Sequence, residues 1–213
     1  MCGRFARSVP VEKIAETFGA RADRDIPSSW NCAPGKEIAL ILCHGPSCTI
    51  QQTFWGVMPA WGKGRLKQPL INIRSETLMQ KRTFDKLLRE GRCLIPADGF
   101  YEWKREGNRK QPVFIRLPGG ALFYMAGLQE NESEKKGCAV ITAPAGKKLA
   151  TLHHRMPLIL DRAEGLSWLE GDTAFLLEQA REPAELQMWP VSSFVNDPGH
   201  DSPLCAVPLR PEP

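Results

Sequence analysis

The stretch EIALILCHGPSCTIQQTFW, residues 37–55, decides the fold class. It holds two runs of aliphatic, β-branched and aromatic residues, 37–43 and 48–55, of a length typical of strands. Between them, residues 44–47 have the sequence His-Gly-Pro-Ser, which is a turn signal. The pattern therefore predicts an antiparallel hairpin in a fold dominated by strands.

The patterns outside this hairpin predict a mixed α+β domain. A second hairpin is predicted from residues 91–103 and 111–117 around the polar turn 105–109. Further strands are predicted at 121–128, 138–142, 156–160 and 186–191, and helices at 10–19, 75–90 and 161–181. Because regular βαβ alternation is missing, we expect a largely antiparallel, curved, barrel-like sheet flanked by helices. We expect a single domain over residues 1–213, with a core at 2–195 and a C-terminal tail at 196–213.

Length and composition favour a soluble protein. The chain has 213 residues, of which 42% are hydrophobic and 24% charged, so it can bury a sizeable core. No run of about 18 apolar residues is present, so we expect no membrane span. The first residues, MCGRFAR, lack the apolar run of a secretory signal, and we expect a cytoplasmic location.

The cysteines predict reduced thiols and no metal. Seven cysteines are an odd number in a chain too long for a small disulfide scaffold, so we expect no structural disulfide. Cys43 and Cys48 lie near His44, but this set lacks the fourth ligand of a tetrahedral zinc site.

The net charge of +4 is unevenly distributed. Residues 1–116 hold 20 Lys and Arg against 11 Asp and Glu, whereas residues 117–213 hold 8 against 13. The basic first part is a plausible footprint for a polyanion, although an ordinary solvated surface has the same pattern. Aromatic residues interleave with it, and Trp61, beside Gly62, is the best candidate for a ring that stacks on an unpaired base.

Cys2 combines two reactive groups once Met1 is removed. The new terminus is a 1,2-aminothiol, whose amine has a reference pKa of about 7.7 to 8.0 and is partly unprotonated at neutral pH. The amine can attack an aldehyde, and the thiol of the same residue can then close a five-membered thiazolidine ring. The alternative is that Cys2 is only a small buried apolar residue.

Three other segments carry candidate chemistry. Asn72 and Arg74 lie two apart at the end of an apolar strand and should point to one face. Glu102 stands among aromatic residues, where burial would raise its pKa and suit it to general acid/base work. His153 and His154 precede a predicted strand, and one of them could transfer protons near neutral pH. Each residue also has an ordinary structural explanation: a turn residue, a surface cation, a salt-bridged glutamate or a hydrogen-bonded histidine.

Six blocks in a fixed order resemble the SRAP family, the SOS-response-associated peptidases or abasic site processing proteins. The blocks are MCGRF at 1–5, WNCAPG at 30–35, FWG at 54–56, PLINIRSET at 69–77, GFYEW at 99–103 and HHRMP at 153–157. The resemblance implies a single mixed α+β domain that forms a thiazolidine crosslink to abasic sites in single-stranded DNA and needs no cofactor.

The resemblance also implies roles for particular residues. Cys2 would be the nucleophile, Asn72 would position its amine, Glu102 would be the general acid/base, and His153 would assist opening of the sugar ring. The residues implied along the DNA path are Arg4, Asn31, Trp61, Arg74 and Arg82. Many members have a second aromatic after the Trp61 position, where this chain has Gly62. The implied partner is single-stranded DNA that contains abasic sites, with cooperating replication-fork proteins left open, and we expect the bound protein to be associated with the nucleoid. The sequence leaves the oligomeric state open, but a covalent DNA trap has no evident need for a dimer, so we expect a monomer.

Two other classes of function fit parts of the sequence. An N-terminal-nucleophile amidohydrolase also begins with an exposed Cys-Gly, but it needs neither the basic first half nor the remaining blocks. A noncatalytic single-strand-binding module would make Cys2 incidental. The peptidase in the family name, whether self-release or propeptide removal, would use Cys2, Glu102 and His153 and is secondary.

Overall fold

The computed structural model describes residues 2–62, 64–130, 136–172, 182–183 and 185–209. The helices are α1 (Val11–Phe18), α2 (Ser75–Gln80), α3 (Asp85–Glu90) and α4 (Arg162–Glu170). The strands are β1 (Phe5–Arg7), β2 (Ala20–Ala22), β3 (Ser29–Cys32), β4 (Glu37–His44), β5 (Ser47–Trp55), β6 (Asn72–Arg74), β7 (Arg92–Ala97), β8 (Gly99–Glu106), β9 (Arg109–Arg116), β10 (Phe123–Glu130), β11 (Gly137–Pro144), β12 (Arg155–Pro157), β13 (Ile159–Leu160) and β14 (Gln187–Pro190). In these parts of the chain no helix is long and apolar enough to cross a membrane.

One sheet closes on itself. Its strands follow the order β12-β11-β10-β7-β4-β5-β2, and β11 also pairs with β5, which joins the two sides of the path. The closing contacts are parallel, Gly137 with Phe54 and Cys138 with Trp55, whereas β4–β5, β4–β7, β7–β10 and β10–β11 are antiparallel. Closure removes the exposed edges that an open sheet would have. The expected α+β class with a curved, barrel-like, largely antiparallel sheet is confirmed.

A second sheet carries the amino-terminal strand. Its order is β14-β9-β8-β1-β3, and its pairings are antiparallel. Strands β7 and β8 are consecutive but belong to different sheets, and the chain crosses between them at Asp98. The buried Asp98 carboxylate accepts hydrogen bonds from the backbone N–H groups of Ser8 and Val9. This contact fixes the end of β1 against the crossing point.

The hydrophobic pattern explains the helices that flank the barrel. In α1 the buried residues Val11, Ile14 and Phe18 recur at helical spacing and pack into the core. The helix ends at Gly19, whose φ of 81° lies in the left-handed region that glycine tolerates best. Helix α4 begins with a capping box, in which Asp161 and Glu164 each accept from the other's backbone N–H at 2.9 Å.

Three predicted elements are divided in the structure. The predicted strand 91–103 becomes β7 and β8, and the predicted strand 156–160 becomes β12 and β13, which pair with β11 and β10 respectively. The predicted helix 75–90 is interrupted at Lys81, whose φ of −112° and ψ of 110° are extended. Of the predicted helix 161–181, residues 173–181 lie outside the described part of the chain.

The expectation of no structural disulfide is wrong. Cys43 and Cys48 form a disulfide across the first hairpin, with their Cα atoms 4.0 Å apart. The β4–β5 register places the two residues directly opposite each other. The number of cysteines in the chain does not predict this pairing. The other five cysteines are free and buried.

The segment set apart as a tail packs on the second sheet as far as residue 209. Cys205 is fully buried, Pro208 pairs with Val191, and Trp189 donates its indole N–H to the Ala206 carbonyl at 2.9 Å. The exposed large hydrophobic side chains of the described residues, Leu204, Val207 and Leu209, all lie in this segment.

Candidate active site at the amino terminus

Cys2 is buried and lies three residues before the start of β1. The strand is held between β3 and β8 by the pairs Phe5–Cys32 and Phe5–Phe100. The Cys2 side chain is fully buried, and its Sγ atom lies 3.9 Å from the Arg4 carbonyl oxygen. Burial raises the pKa of the Cys2 thiol, and the nearby carboxylate charge of Glu102 raises it further. The thiol is therefore held in its protonated form at neutral pH.

Asn72 contacts Cys2 directly. Strand β6 pairs in parallel with β11, and its first residue directs its side chain to the chain terminus. The Asn72 Nδ2 atom donates a hydrogen bond to the Cys2 carbonyl oxygen at 2.8 Å. A carbonyl oxygen can only accept, so Nδ2 must face it and Oδ1 must face away. The buried Oδ1 atom has no hydrogen-bond partner among the described residues, which leaves it able to accept from an amine.

Glu102 lies in the buried half of β8, opposite Val113 of β9. Its side chain is only 4% exposed. Burial raises the pKa of the Glu102 carboxyl, and the positive charge of the chain's amino terminus opposes this shift. The β1–β8 register and the influence of Glu102 on the Cys2 thiol place the two residues in one site.

His153 is held in one tautomer. Its Nδ1 atom accepts a hydrogen bond from the Arg155 backbone N–H at 3.0 Å, so a neutral ring carries its proton on Nε2. Burial lowers the pKa of His153, and the amino-terminal charge and His154, whose ring stacks on it at 4.3 Å, lower it further. The ring is therefore neutral at pH 7 and donates from Nε2. Asn72 thus contacts Cys2, Glu102 acts electrostatically on the Cys2 thiol, and His153 is influenced by the charge of the amino terminus.

The sequence did not assign a role to the pair Arg155 and Glu76. The Arg155 side chain is 6% exposed and donates from both terminal nitrogens to the two Glu76 carboxylate oxygens. It also donates to the Thr142 carbonyl oxygen of β11, which lies between β6 and β12. The ion pair connects α2, which directly follows β6, to β12. Asn72 is the first residue of β6, and His153 lies two residues before β12. A sequence separation of 79 left no local signal for it.

Three of the predicted DNA contacts lie toward the surface. Arg74 ends β6 and is exposed, as is Arg82 between α2 and α3. The Trp61 ring is half-buried and meets the edge of Phe84, with ring centroids 5.6 Å apart. Trp61 thus offers only part of its surface for stacking.

Arg4 and Asn31 are buried and face the C-terminal segment. The Arg4 Nη1 atom donates to Asn31 Oδ1 and to the Val195 carbonyl oxygen, each at 2.7 Å. The Asn31 Nδ2 atom lies within hydrogen-bond distance of three carbonyl oxygens, of Val195, Asp197 and His200, at 2.6 to 3.2 Å. These contacts are structural, and a contact of either residue with DNA stays a prediction.

Comparison with known proteins agrees with the sequence blocks. The model of a family described as SOS response associated peptidase (SRAP) matches residues 1–198. The chain belongs to the SRAP family. Among curated SRAP relatives, the abasic site processing protein YoqW of Bacillus subtilis is 35% identical over 95% of this chain and 97% of its own. The abasic site processing protein YedK of Escherichia coli is 34% identical, over 91% and 90%.

The chain is also similar to a longer SRAP relative and to proteins of solved structure. The abasic site processing protein HMCES of Gallus gallus is 34% identical over 99% of this chain and 78% of its own. A solved protein from Bacteroides thetaiotaomicron, 20% identical, has a TM-score of 0.85 and covers 98% of this chain and 100% of its own. A phage-related protein from Bordetella bronchiseptica, 25% identical, has a TM-score of 0.73 over 89% and 94%.

Proposed function

We propose that this SRAP chain captures abasic sites in single-stranded DNA by forming a thiazolidine between Cys2 and C1' of the damaged sugar. The observation that carries the proposal is the contact of Asn72 with Cys2, together with the Oδ1 atom of the same carboxamide, which has no partner within the described part of the chain. After Met1 is removed, the Cys2 amine would belong to the same residue that this carboxamide contacts. The names of the curated relatives, abasic site processing proteins, support the choice of lesion.

The first step opens the sugar ring. An abasic sugar is mostly a closed hemiacetal, so the C1'–O4' bond must break before an aldehyde exists. Burial raises the pKa of Glu102 and so favours the protonated form, which gives its proton to O4', and the resulting carboxylate takes the proton of the C1' hydroxyl. The neutral His153 ring holds the sugar by donating a hydrogen bond from Nε2.

The second step joins the protein to the sugar. The unprotonated Cys2 amine attacks C1' and gives a carbinolamine, with Asn72 Oδ1 accepting an amine N–H and so orienting the nitrogen lone pair. Glu102 protonates the hydroxyl, water leaves, and an iminium forms. The Cys2 sulfur then bonds to C1' while its proton passes to the Glu102 carboxylate, and the iminium nitrogen becomes a neutral ring amine. Ring closure removes the iminium that would otherwise promote strand cleavage by β-elimination.

The protonated state of the Cys2 thiol favours this order over the amidohydrolase alternative. An amidohydrolase attacks its amide with the sulfur, and the thiolate is the stronger nucleophile. Here burial raises the pKa of the thiol, so the amine is the group ready to react first. Hydrolysis of glutamine or of a peptide by the purified protein, dependent on Cys2, would favour the amidohydrolase or peptidase alternatives.

The test is an intact-mass measurement of protein mixed with an abasic single-stranded oligonucleotide. We expect a species whose mass equals the chain without Met1 plus the oligonucleotide minus one water. Cys2→Ser keeps the amine but not the thiol, so it should give no stable adduct, yet borohydride should trap its imine. An adduct of unchanged yield and stability in Cys2→Ser, or retained Met1 in the crosslinked protein, would contradict the proposal.

A further inference from the structure

The outer half of the β8–β9 hairpin is strongly basic and has no role in the chemistry above. Residues 104–110 have the sequence Lys-Arg-Glu-Gly-Asn-Arg-Lys, and all of them are exposed. They hold four cations against one carboxylate, and we call this segment the β8–β9 tip. A basic segment is often only a solvated surface. The pairing of the two strands indicates a more specific use for this one.

Two cations of the tip are held directly opposite each other. Arg105 of β8 pairs with Lys110 of β9 in the antiparallel register, so both side chains leave the same face of the hairpin. The carboxylate of the tip, Glu106, lies on the other face, where it forms an ion pair with Lys104 at 2.9 Å. Within the part of the chain that the structure describes, neither Arg105 nor Lys110 forms an ion pair.

This arrangement lowers the stability of the free protein. Like charges directly opposite each other on an antiparallel pair of strands repel, whereas opposite charges would attract. The backbone keeps the two cations opposite each other, because seven residue pairs fix the register and Gly107, with a φ of 60°, allows a tight turn. An anion placed between the two side chains would offset the repulsion.

The tip projects from the edge of the candidate site. Tyr101 donates its backbone N–H to the Arg4 carbonyl oxygen at 3.0 Å, so β8 runs beside the first residues of the chain. The same antiparallel alignment, continued by two residues, brings Trp103 level with Cys2. Once Met1 is removed, the amino-terminal segment ends at this level, and Arg105 lies about 7 Å farther along β8.

The face that carries Arg105 also connects to the amino-terminal segment. Trp103 lies two residues before Arg105 and therefore on the same face, and it donates its indole N–H to Asn196 Oδ1 at 2.8 Å. The Asn196 carbonyl oxygen accepts from Arg4 Nη2 at 3.5 Å. These contacts link Arg4, two residues after Cys2, to the face on which the two cations stand.

The chemistry of the two cations indicates their ligand. The arginine guanidinium is a planar fork of donors that matches phosphate oxygens, and the lysine ammonium adds a compact charge. A backbone phosphodiester offers negative charge and free oxygens to both. A strand whose abasic sugar lies at Cys2 brings its neighbouring phosphates to the same end of the second sheet.

We infer that Arg105 and Lys110 together bind a backbone phosphate of the DNA strand, close to the abasic sugar. The inference rests on the proposed function, because it assumes that the sugar lies at Cys2. The repulsion between the two cations is then offset only while the strand is bound. Their contact holds the strand noncovalently during the steps that form the crosslink, and it does not read the base sequence.

The test locates the phosphate by removing its charge. Each oligonucleotide carries tetrahydrofuran, an abasic analogue without the C1' hydroxyl that cannot form an imine, and an uncharged methylphosphonate in place of a single phosphate. Fluorescence anisotropy with the full chain gives the dissociation constant for each position of the methylphosphonate. For the unmodified protein, we expect binding to weaken about threefold to tenfold when the phosphate held by the two cations is replaced.

Variants assign that phosphate to the two cations. Arg105→Ala and Lys110→Ala should each weaken binding of the fully charged strand about threefold. In the variant that carries both changes, the methylphosphonate at the assigned position should have no further effect, while methylphosphonates elsewhere keep theirs. Arg109→Ala is the matched control, because Arg109 lies on the same tip but leaves the other face, opposite Glu106. It should preserve the effect at the assigned position.

A second measurement tests the repulsion itself. Lys110→Gln keeps a long polar side chain and removes one of the two opposed charges. It should raise the melting temperature of the free protein by about 1 to 2 °C while it weakens DNA binding. Arg21→Gln, at an exposed cation that pairs with Asp23, should give no such rise.

Three outcomes would overturn the inference. They are a methylphosphonate effect that persists at every position in the variant with both changes, loss of the same effect in Arg109→Ala, and a lower melting temperature in Lys110→Gln. Crosslinking to a true abasic site is measured separately by intact mass. Normal crosslinking with no phosphate assigned to the two cations would reject the inference alone. An assigned phosphate without any crosslink would reject the proposed function alone.

Discussion

The side-chain nitrogen of Asn72 donates to the carbonyl oxygen of Cys2 across 2.8 Å. This bond joins β6 to the residue that would react, and in the proposed mechanism the carboxamide oxygen accepts from the amine of that residue. Asn72→Ala should slow single-turnover crosslinking about 10- to 100-fold, the usual cost of misplacing a reacting group by about 1 Å. Asn72→Asp should be at least as slow, because a carboxylate repels the Cys2 carbonyl oxygen. Asn108→Ala, in an exposed turn, is the control. Unchanged rates in both Asn72 variants would contradict this role.

Glu102 should give crosslinking a bell-shaped pH dependence. Crosslinking needs the Cys2 amine without its proton, and the reference pKa of such an amine is about 7.7 to 8.0. It also needs Glu102 with its proton, a form that burial favours by raising the pKa of Glu102. The rate follows the product of these two fractions, and it therefore passes through a maximum and falls at both lower and higher pH. Glu102→Gln should lower the maximal rate about 100-fold and abolish the falling limb. Glu106→Gln, exposed on the same strand, should leave the profile as it is.

Arg74 and Arg82 should contribute to affinity through phosphate charge. Each Arg→Ala change should weaken binding of single-stranded DNA whatever its sequence, and should reduce the slope of log K against log salt by about 0.7. Arg21→Ala, an exposed cation on β2, is the control. If the salt dependence of binding were the same in all three variants and in the unmodified chain, neither Arg74 nor Arg82 would contact the DNA phosphates.

We expect Asn31 to contribute to the stability of the fold rather than to DNA binding. Asn31→Ala removes donors to three carbonyl oxygens and the acceptor of Arg4, and it leaves buried polar groups without partners. We expect a loss of about 2 to 4 kcal/mol in the free energy of unfolding, measured by urea denaturation. Asn108→Ala should cost little. If Asn31→Ala unfolded at the same urea concentration as the unmodified chain but bound DNA more weakly, the result would contradict a structural role and favour a contact of Asn31 with DNA.

Glu76 should make the fold sensitive to acid. Hydrogen bonds from Arg155 lower its pKa from 4.5 to about 2, so the ionised form favours the folded state. This stabilisation is complete above about pH 4.5 and is lost as the pH falls toward 2. Because the Glu76 side chain is 48% exposed, solvent screening reduces the stabilisation of the folded state by this ion pair to about 1 kcal/mol. In Glu76→Gln the free energy of unfolding should change less between pH 5 and pH 3 than in the unmodified chain, and an equal change would contradict the assignment.

The regular elements were predictable where the local pattern is strong. The hairpin of β4 and β5 combines two apolar runs with a turn, and α1 combines helical spacing with Gly19, so each is specified within about 20 residues. Strand β1 was missed because Phe5–Arg7 is short and is stabilised by partners in β3 and β8. The change of sheet at Asp98 depends on contacts with Ser8 and Val9, which lie about 90 positions away.

At the candidate site, the burial of Glu102 was more predictable from the sequence than the contacts between residues. The aromatic surroundings of Glu102 already indicated a buried carboxyl with a raised pKa, and the structure has both. The direction of the Asn72 bond was not predictable, because it follows from the register of β6 on β11. The roles of Arg4 and of the Arg155–Glu76 pair were likewise hidden, since each depends on residues far apart in the chain.

The bond of Arg4 to the Val195 carbonyl oxygen joins residues 191 positions apart, and it sets an order of events during synthesis. The Arg4 side chain cannot make its final contacts until residue 195 has left the ribosome. At about 5 to 20 residues per second, that interval lasts roughly 10 to 40 s. During this interval Cys2 has not yet reached its fully buried position. Translation itself thus provides a time in which the proposed removal of Met1 can take place.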